Sequence, residues 1–213
     1  MKEIGILWDL DGTLLDTLED LHSSVNVALE SMGYPPRTLE EVRRFVGNGA
    51  GRLLEQAVPE GGDWQAALAR FRAYYDSHCR IKTRPYEGIP DALAELGKHY
   101  PMAIVSNKPD SAVKILSRDY FGGIFARGED ADCPRKPAPD MVYQAMAAIG
   151  VGRCVYVGDS EVDILTAKNA GVPCLSVLWG FRDREELADA GGVHFCEDTK
   201  ELPRIIDKIV AAM

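Results

Sequence analysis

No stretch of this 213-residue chain approaches the ~18 consecutive apolar residues of a membrane span. Positive charge is also in deficit. Thirty-three acidic residues against 24 Lys and Arg leave a formal net charge of −9, which argues against nucleic acid and anionic membranes as partners. An anionic substrate would then need a local cation to hold it. No CxxC pair occurs, and the five cysteines (Cys79, Cys133, Cys154, Cys174, Cys196) are scattered and odd in number. They read as reduced thiols of a cytoplasmic protein, with Cys154 and Cys174 filling strands. The four histidines form no group with metal-ligand spacing, so zinc is not expected. Met1-Lys2-Glu3 has no apolar targeting core behind it. Internal repeats and low-complexity segments are absent.

What is present is an ordinary globular composition, 46% hydrophobic and 27% charged. The length suits one large domain, or a core with a smaller second unit. The most informative stretch is Asp9-Leu10-Asp11-Gly12-Thr13, directly after the apolar run Ile4-Gly5-Ile6-Leu7-Trp8. Alternation on a strand points Asp9 and Asp11 the same way. Two like charges that close require a cation between them or a retained proton. Gly12 lets the chain turn and Thr13 adds a hydroxyl. The plain alternative is a strand followed by an Asp-Gly turn.

After residue 83, short apolar runs alternate with amphipathic stretches. The predicted strands are Met102–Val105, Ile124–Ala126, Cys154–Val157, Cys174–Leu178 and Val193–Phe195. The predicted helices are 90–99, 109–118, 139–149, 161–170, 183–190 and 200–212. Strand runs without polar alternation suit a parallel sheet covered on both faces. The β-α order predicts a doubly wound, mostly parallel α/β fold. Residues 16–82 carry no strand signal. Leu18, Leu21, Val25, Ala28, Leu29 and Met32 share one helical face, with Thr17 at the cap position. Thr38-Leu39-Glu40-Glu41 is a capping box opening a second helix. Leu53, Leu54 and Ala57 mark a third, and Trp64, Ala67, Leu68, Phe71, Tyr74 and Tyr75 a fourth, read as helix core. The predicted organisation is an α/β core of 1–15 and 83–213 interrupted by an inserted α-helical unit, 16–82. Its hinges fall near Asp16-Thr17 and Thr83-Arg84-Pro85.

Three further polar groups follow strands or precede helices. Ser106-Asn107-Lys108 ends the Met102–Val105 run, where a helix-entry turn would also place them. Arg135-Lys136-Pro137-Ala138-Pro139-Asp140 holds a lysine between prolines that fix the chain's direction. Gly158-Asp159-Ser160-Glu161-Val162-Asp163 puts two carboxylates one helical turn apart, where they would also suit a helix start. Asp9, Ser106 and Asp159 each follow a strand, and parallel sheets bind ligands beyond those ends. Asp9, Asp11, Asp159 and Asp163 make a set of hard oxygen ligands suited to Mg²⁺. Ser106 and Lys136 add a hydroxyl and a fixed cation, a combination suited to phosphoryl transfer. Trp179-Gly180-Phe181-Arg182 falls on the same sheet edge. It reads as a hydrophobic loop anchor with a solvated arginine, with lining of the site entrance as the alternative.

The ordered set DLDGT, VSNK, RKPAPD and GDSEVD resembles the four motifs of the haloacid dehalogenase superfamily of phosphatases. The inserted helices resemble that family's cap. The stretches around Asp20-Leu21, Val25-Asn26 and Ala28-Leu29, with Phe45-Val46-Gly47-Asn48-Gly49, resemble its phosphoglycolate phosphatase branch. The resemblance implies Asp9 as nucleophile, forming an aspartyl-phosphate, and Asp11 as general acid and then base. It implies Ser106 as a phosphoryl-oxygen donor and Lys136 as the stabilising cation. Asp159 would be a metal ligand alongside Asp9 and the backbone carbonyl of Asp11, with Asp163 supporting the site and reaching Mg²⁺ through water. Thr13 and Asn107 would contact phosphate, and Gly47, Asn48 and Gly49 would contact substrate from the cap, which would close over the site. Trp8 stands where the family more often has Phe. The implied partner is a small phosphorylated metabolite, and the implied assembly a monomer or homodimer. Alternatives on the same scaffold are a sugar-phosphate or nucleotide phosphatase, a phosphomutase or a dehalogenase. Outside enzymes, a non-catalytic metal-binding module is the alternative.

Overall fold

The computed structural model describes residues 4–213; the reading of Met1–Glu3 lies outside the described residues. The chain runs β1 (Ile4–Trp8), β2 (Leu15–Asp16), α1 (Leu18–Glu30), α2 (Leu39–Phe45), α3 (Gly49–Ala57), α4 (Trp64–His78) and β3 (Arg84–Pro85). It continues through α5 (Ile89–Leu96), β4 (Met102–Pro109), α6 (Asp110–Phe121), β5 (Phe125–Glu129), α7 (Asp140–Ala148), β6 (Arg153–Gly158) and α8 (Glu161–Ala170). The last elements are β7 (Cys174–Val177), α9 (Arg184–Asp189), β8 (His194–Cys196) and α10 (Leu202–Ala211).

Six strands form one parallel sheet in the order β5-β4-β1-β6-β7-β8. Central β1 is flanked on one side by β4 and on the other by β6, so the chain reverses its winding direction at β1. A ligand crevice forms where strand order switches in this way. The apolar runs are buried on both faces. Ile6, Trp8, Ile104, Val155 and Val157 pack on one side, and Leu7, Ala103, Val105, Cys154 and Tyr156 on the other. Cys79, Cys133, Cys154, Cys174 and Cys196 are all free thiols. No helix among the described residues is long and apolar enough to cross a membrane.

Residues 18–78 contain only helices, and their apolar faces meet in a separate core around Val25, Leu29, Leu54, Phe71 and Tyr75. The predicted capping box opens α2: Thr38 Oγ1 accepts from the Glu41 amide at 3.2 Å, and Glu41 Oε2 accepts from the Thr38 amide at 2.8 Å. A short antiparallel ribbon, Leu15 opposite Pro85 and Asp16 opposite Arg84, joins the two crossings between this block and the sheet. The Asp20 carboxylate on α1 accepts from the Lys82 and Thr83 amides at 2.8–3.1 Å, fixing the second crossing to the first helix.

Two differences from expectation bear on the site. Strand β4 extends to Pro109 instead of ending at Val105, because β5 also runs on to Glu129 and supplies a partner edge. Thr17 occupies the N-cap position of α1 without capping it; its hydroxyl turns to Asp11 instead.

Candidate active site

Asp9, Asp11, Ser106, Lys136, Asp159 and Asp163, drawn from all four polar segments, converge on the carboxyl edge of β1, β4 and β6. Asp9 follows β1, its amide bonded to the Val157 carbonyl at 2.8 Å. Lys136, only 2% exposed, places its ammonium 2.8 Å from Asp9 Oδ1 and 2.8 Å from Asp163 Oδ1. The Tyr156 hydroxyl sits 3.1 Å away and itself donates to the Val105 carbonyl at 3.2 Å. The contact with Asp9 is an ion pair rather than an aligned hydrogen bond, so Asp9 Oδ1 remains buried without a satisfying donor. Carboxylate oxygens of Asp9, Asp159 and Asp163 lie within 4.8 Å of one another. Three carboxylates against one ammonium leave an excess of two negative charges, the charge of one divalent cation. The hard oxygen donors of these three converging carboxylates fit Mg²⁺.

The supporting contacts are specific. Thr13 Oγ1 donates to Asp159 Oδ1 at 2.9 Å, and the Phe181 amide donates to Asp159 Oδ2 at 2.8 Å. Ser160 donates to Asp163 Oδ2 from its amide at 3.1 Å and its hydroxyl at 2.6 Å. Gly12 has φ +82°, and a Cβ there would collide with the Asp159 carboxylate. Burial, reinforced by Asp163, raises the Asp9 pKa well above the carboxylate range against the pull of Lys136. Burial and Asp163 push Asp159 up to about 7. Lys136 keeps its charge: burial works against it, but Asp163 and Asp9 win and its pKa rises.

Asp11 does not share the cation-binding cluster with Asp9, contrary to the expected convergence. Past Trp8 the chain has left the strand and entered the Gly12 turn, so alternation no longer governs direction. Asp11 instead accepts from Lys108 Nζ on both oxygens, at 2.8 and 3.0 Å, and from Thr17 Oγ1 at 2.7 Å. Lys108 is 5% exposed and lies 4.8 Å over the Tyr75 ring. Once β4 is seen to continue, Lys108 stands two residues beyond Ser106 on a strand ending at the site.

A cavity of about 50 Å³ opens between this edge and the helical block. Asp9, Asp11, Ser106, Lys108, Lys136 and Asp159 form its floor, with Leu21, Leu53, Phe71 and Tyr75 among the residues facing them. Phe71 and Tyr75 of α4 are thus both helix core and cavity wall. Ser106 accepts from the Lys108 amide at 3.3 Å, which leaves its hydroxyl proton to donate. Asn107, expected at phosphate, spends its side chain on structure. It accepts from the Lys136 amide at 2.8 Å and donates to the Lys136 and Gly47 carbonyls at 3.0 and 3.2 Å. Thr13, also expected there, is fully buried against Asp159. Gly47 and Gly49 line the cavity; Asn48 does not, and serves as the N-cap residue of α3.

Arg182 is buried rather than solvated. It pairs with Glu161 at 2.9 Å and donates to the carbonyls of Arg43, Arg44 and Val46 at 3.3, 3.3 and 2.8 Å. Phe181 beside it packs into the helical core. The segment clamps the helical block to the sheet domain: Phe181 is the expected hydrophobic anchor and also lines the cavity, while the burial of Arg182 was not legible locally.

The family profile of haloacid dehalogenase-like hydrolases matches residues 6–177, and the chain belongs to that family. Among proteins of known name, it is 34% identical to the phosphoglycolate phosphatase of Rhodobacter capsulatus over 95% of this chain and 96% of that protein. It is also 34% identical to phosphoglycolate phosphatase 1 of Pseudomonas aeruginosa, over 92% and 77% respectively. Among solved structures, a Lactobacillus delbrueckii subsp. bulgaricus protein provisionally named phosphoglycolate phosphatase superposes with a TM-score of 0.89. It is 36% identical and covers 97% of this chain and 99% of its own.

Proposed function

We propose that this chain is a Mg²⁺-dependent phosphatase of small phosphomonoesters, with phosphoglycolate the favoured substrate, acting through an aspartyl-phosphate on Asp9. The observation that carries the proposal is the buried ammonium of Lys136 held between Asp9 and Asp163, with Asp11 across the same cavity. The names of the relatives support the substrate.

In this reading an Asp9 oxygen attacks phosphorus and the ester oxygen departs, taking a proton from Asp11. Water then attacks the phosphorus of the aspartyl ester, giving its proton to Asp11, and inorganic phosphate leaves as Asp9 is restored. Asp9 and Asp159 would hold Mg²⁺, with Asp163 reaching it through water. When bound, the ion neutralises the carboxylates and polarises the phosphoryl group. Ser106 donates to a phosphoryl oxygen. Lys136 lowers the repulsion between Asp9 and an approaching dianion. Thr13, Asn107 and Asp163 hold the groups that touch substrate.

The test is phosphate release from a panel of small phosphomonoesters, sugar phosphates and nucleotides, with and without Mg²⁺. Wild-type chain is expected to favour phosphoglycolate and to need the metal. Asp9→Asn should reduce turnover at least about 1000-fold with the fold intact. Retained activity in that variant removes Asp9 from its role. Preference for a sugar phosphate or nucleotide removes the substrate assignment alone.

A further inference from the structure

The cavity is lined by two lysines, and the chemistry of phosphoryl transfer uses only one. Lys136 is committed to Asp9 and Asp163. Lys108 lies on the other side, against the residue that would protonate the leaving group, and its ammonium touches both oxygens of Asp11. Beside it, Tyr75 lines the same cavity. The Tyr75 hydroxyl is buried with no hydrogen-bond partner among the described residues. A buried phenol left without an acceptor is costly, and a ligand oxygen would remove that cost. The surrounding wall is apolar, contributed by Leu21, Leu53 and Phe71.

We propose that Lys108 and Tyr75 form a carboxylate seat for the leaving group. They would make the site selective for phosphorylated hydroxy acids in which one methylene separates the ester oxygen from the carboxylate. The proposal rests on the phosphatase reading above and assigns its specificity to two residues. Its geometry follows from Asp11. To be protonated, the ester oxygen must lie within hydrogen-bond reach of the Asp11 carboxyl. Across a single methylene, a carboxylate oxygen lies about 3 Å from that ester oxygen, given ordinary bond lengths. Lys108 Nζ is 2.8 Å from Asp11, so a carboxylate so placed meets the ammonium directly. The Tyr75 hydroxyl adds a neutral donor to it. About 50 Å³ holds roughly four waters, space of the order that a two-carbon acid phosphate needs.

The experiment compares kcat/KM for phosphoglycolate with that for ethyl phosphate, which keeps the carbon skeleton and lacks the carboxylate. Wild-type chain is expected to prefer phosphoglycolate strongly. Lys108→Met lowers kcat/KM for both esters, because Asp11 loses its partner, but the ratio between them should fall about 10- to 100-fold. Tyr75→Phe should lower the ratio about three- to tenfold. If Lys108 only positions Asp11, both esters lose equally and the ratio stays unchanged, which overturns the proposal. If Lys108→Met fails to fold by circular dichroism, Tyr75→Phe carries the test with free glycolate as competitive inhibitor. Inhibition should weaken several-fold, and unchanged inhibition overturns the seat. Equal use of the two esters by wild-type chain overturns the seat and leaves the phosphatase reading standing. Release of phosphate from neither overturns both.

Discussion

Replacing Asp159 by Asn changes the charge balance of the buried carboxylate cluster without changing its shape, and the consequence depends on pH. The Asp159 pKa is about 7 in the folded protein, raised by burial and by Asp163, against 3.8 for an ordinary aspartate. A raised carboxyl pKa means that the folded state binds the proton more tightly than the unfolded chain. Its contribution to stability is therefore complete below pH 3.8 and fades as pH climbs to about 7. The difference of about three units corresponds to about 4 kcal/mol across that window, in the absence of metal. Asparagine has no such proton to lose. Thermal unfolding of metal-free protein between pH 4 and 8 should show Asp159→Asn gaining on wild type as pH rises. Its offset at low pH is negative, since the amide cannot accept from both Thr13 and the Phe181 backbone. Adding Mg²⁺ at pH 8 should raise the wild-type melting temperature and barely move the variant. Mg²⁺ should also matter less at pH 5, where the cation must displace a proton. Parallel pH profiles for the two proteins, or equal Mg²⁺ shifts, would refute the account of Asp159 as a buried, cation-seeking carboxylate.

Two further outcomes follow from packing. Arg182→Met removes the donor shared by the Arg43 and Arg44 carbonyls of α2 and the Val46 carbonyl that follows it, and the partner of Glu161, which is itself 37% exposed. A loss of about 2 kcal/mol is expected, with faster hydrogen exchange where the helical block meets the sheet domain; an unchanged melting temperature would remove Arg182 as a clamp. Leu54→Ala empties a fully buried position in the helical core and should cost about 2–5 kcal/mol, read from the denaturant midpoint. A smaller loss means that the four helices pack more loosely than their burial indicates.

Features repeated at a fixed period were legible before the fold was known. Uninterrupted apolar runs such as Cys154–Val157 marked strands buried on both faces, and Leu21, Val25 and Leu29 marked the buried face of α1. The Thr38–Glu41 capping box was readable because it is local, closing within four residues. The cluster of Asp9, Asp159 and Asp163 was readable because each follows a strand or opens a helix at the same sheet edge. Partners chosen across long sequence separation were not. Asp11 and Lys108 are 97 residues apart, and Arg182 is 136 residues from Val46. Nothing local distinguishes a lysine that ends a strand in solvent from one that ends it in a cavity. The structural bonds of Thr13 and Asn107 were not legible for a related reason. Polar side chains beside a site are used as often to hold the backbone as to hold the ligand, and their type does not say which.

The two buried lysines also explain why the site needs a separate wall of helices. Around Lys136 the excess negative charge suits a divalent cation, and that half is built wholly from the sheet domain. Around Lys108 the charge is already balanced by Asp11, so a second anion gains there only if water is kept away and the local field stays strong. The sheet edge has no residues to exclude that water. Tyr75, Phe71, Leu53 and Leu21 all come from helices inserted directly after Asp11. Their link to the sheet starts at Thr17, whose hydroxyl is bonded to the Asp11 carboxylate. Movement of the helical block would be felt at Asp11 through Thr17 and also at Lys136 through Asn107, which bridges the Gly47 and Lys136 carbonyls. In the proposed mechanism the two lysines would thus divide the work, Lys136 among the carboxylates of the sheet edge and Lys108 beneath the helical wall.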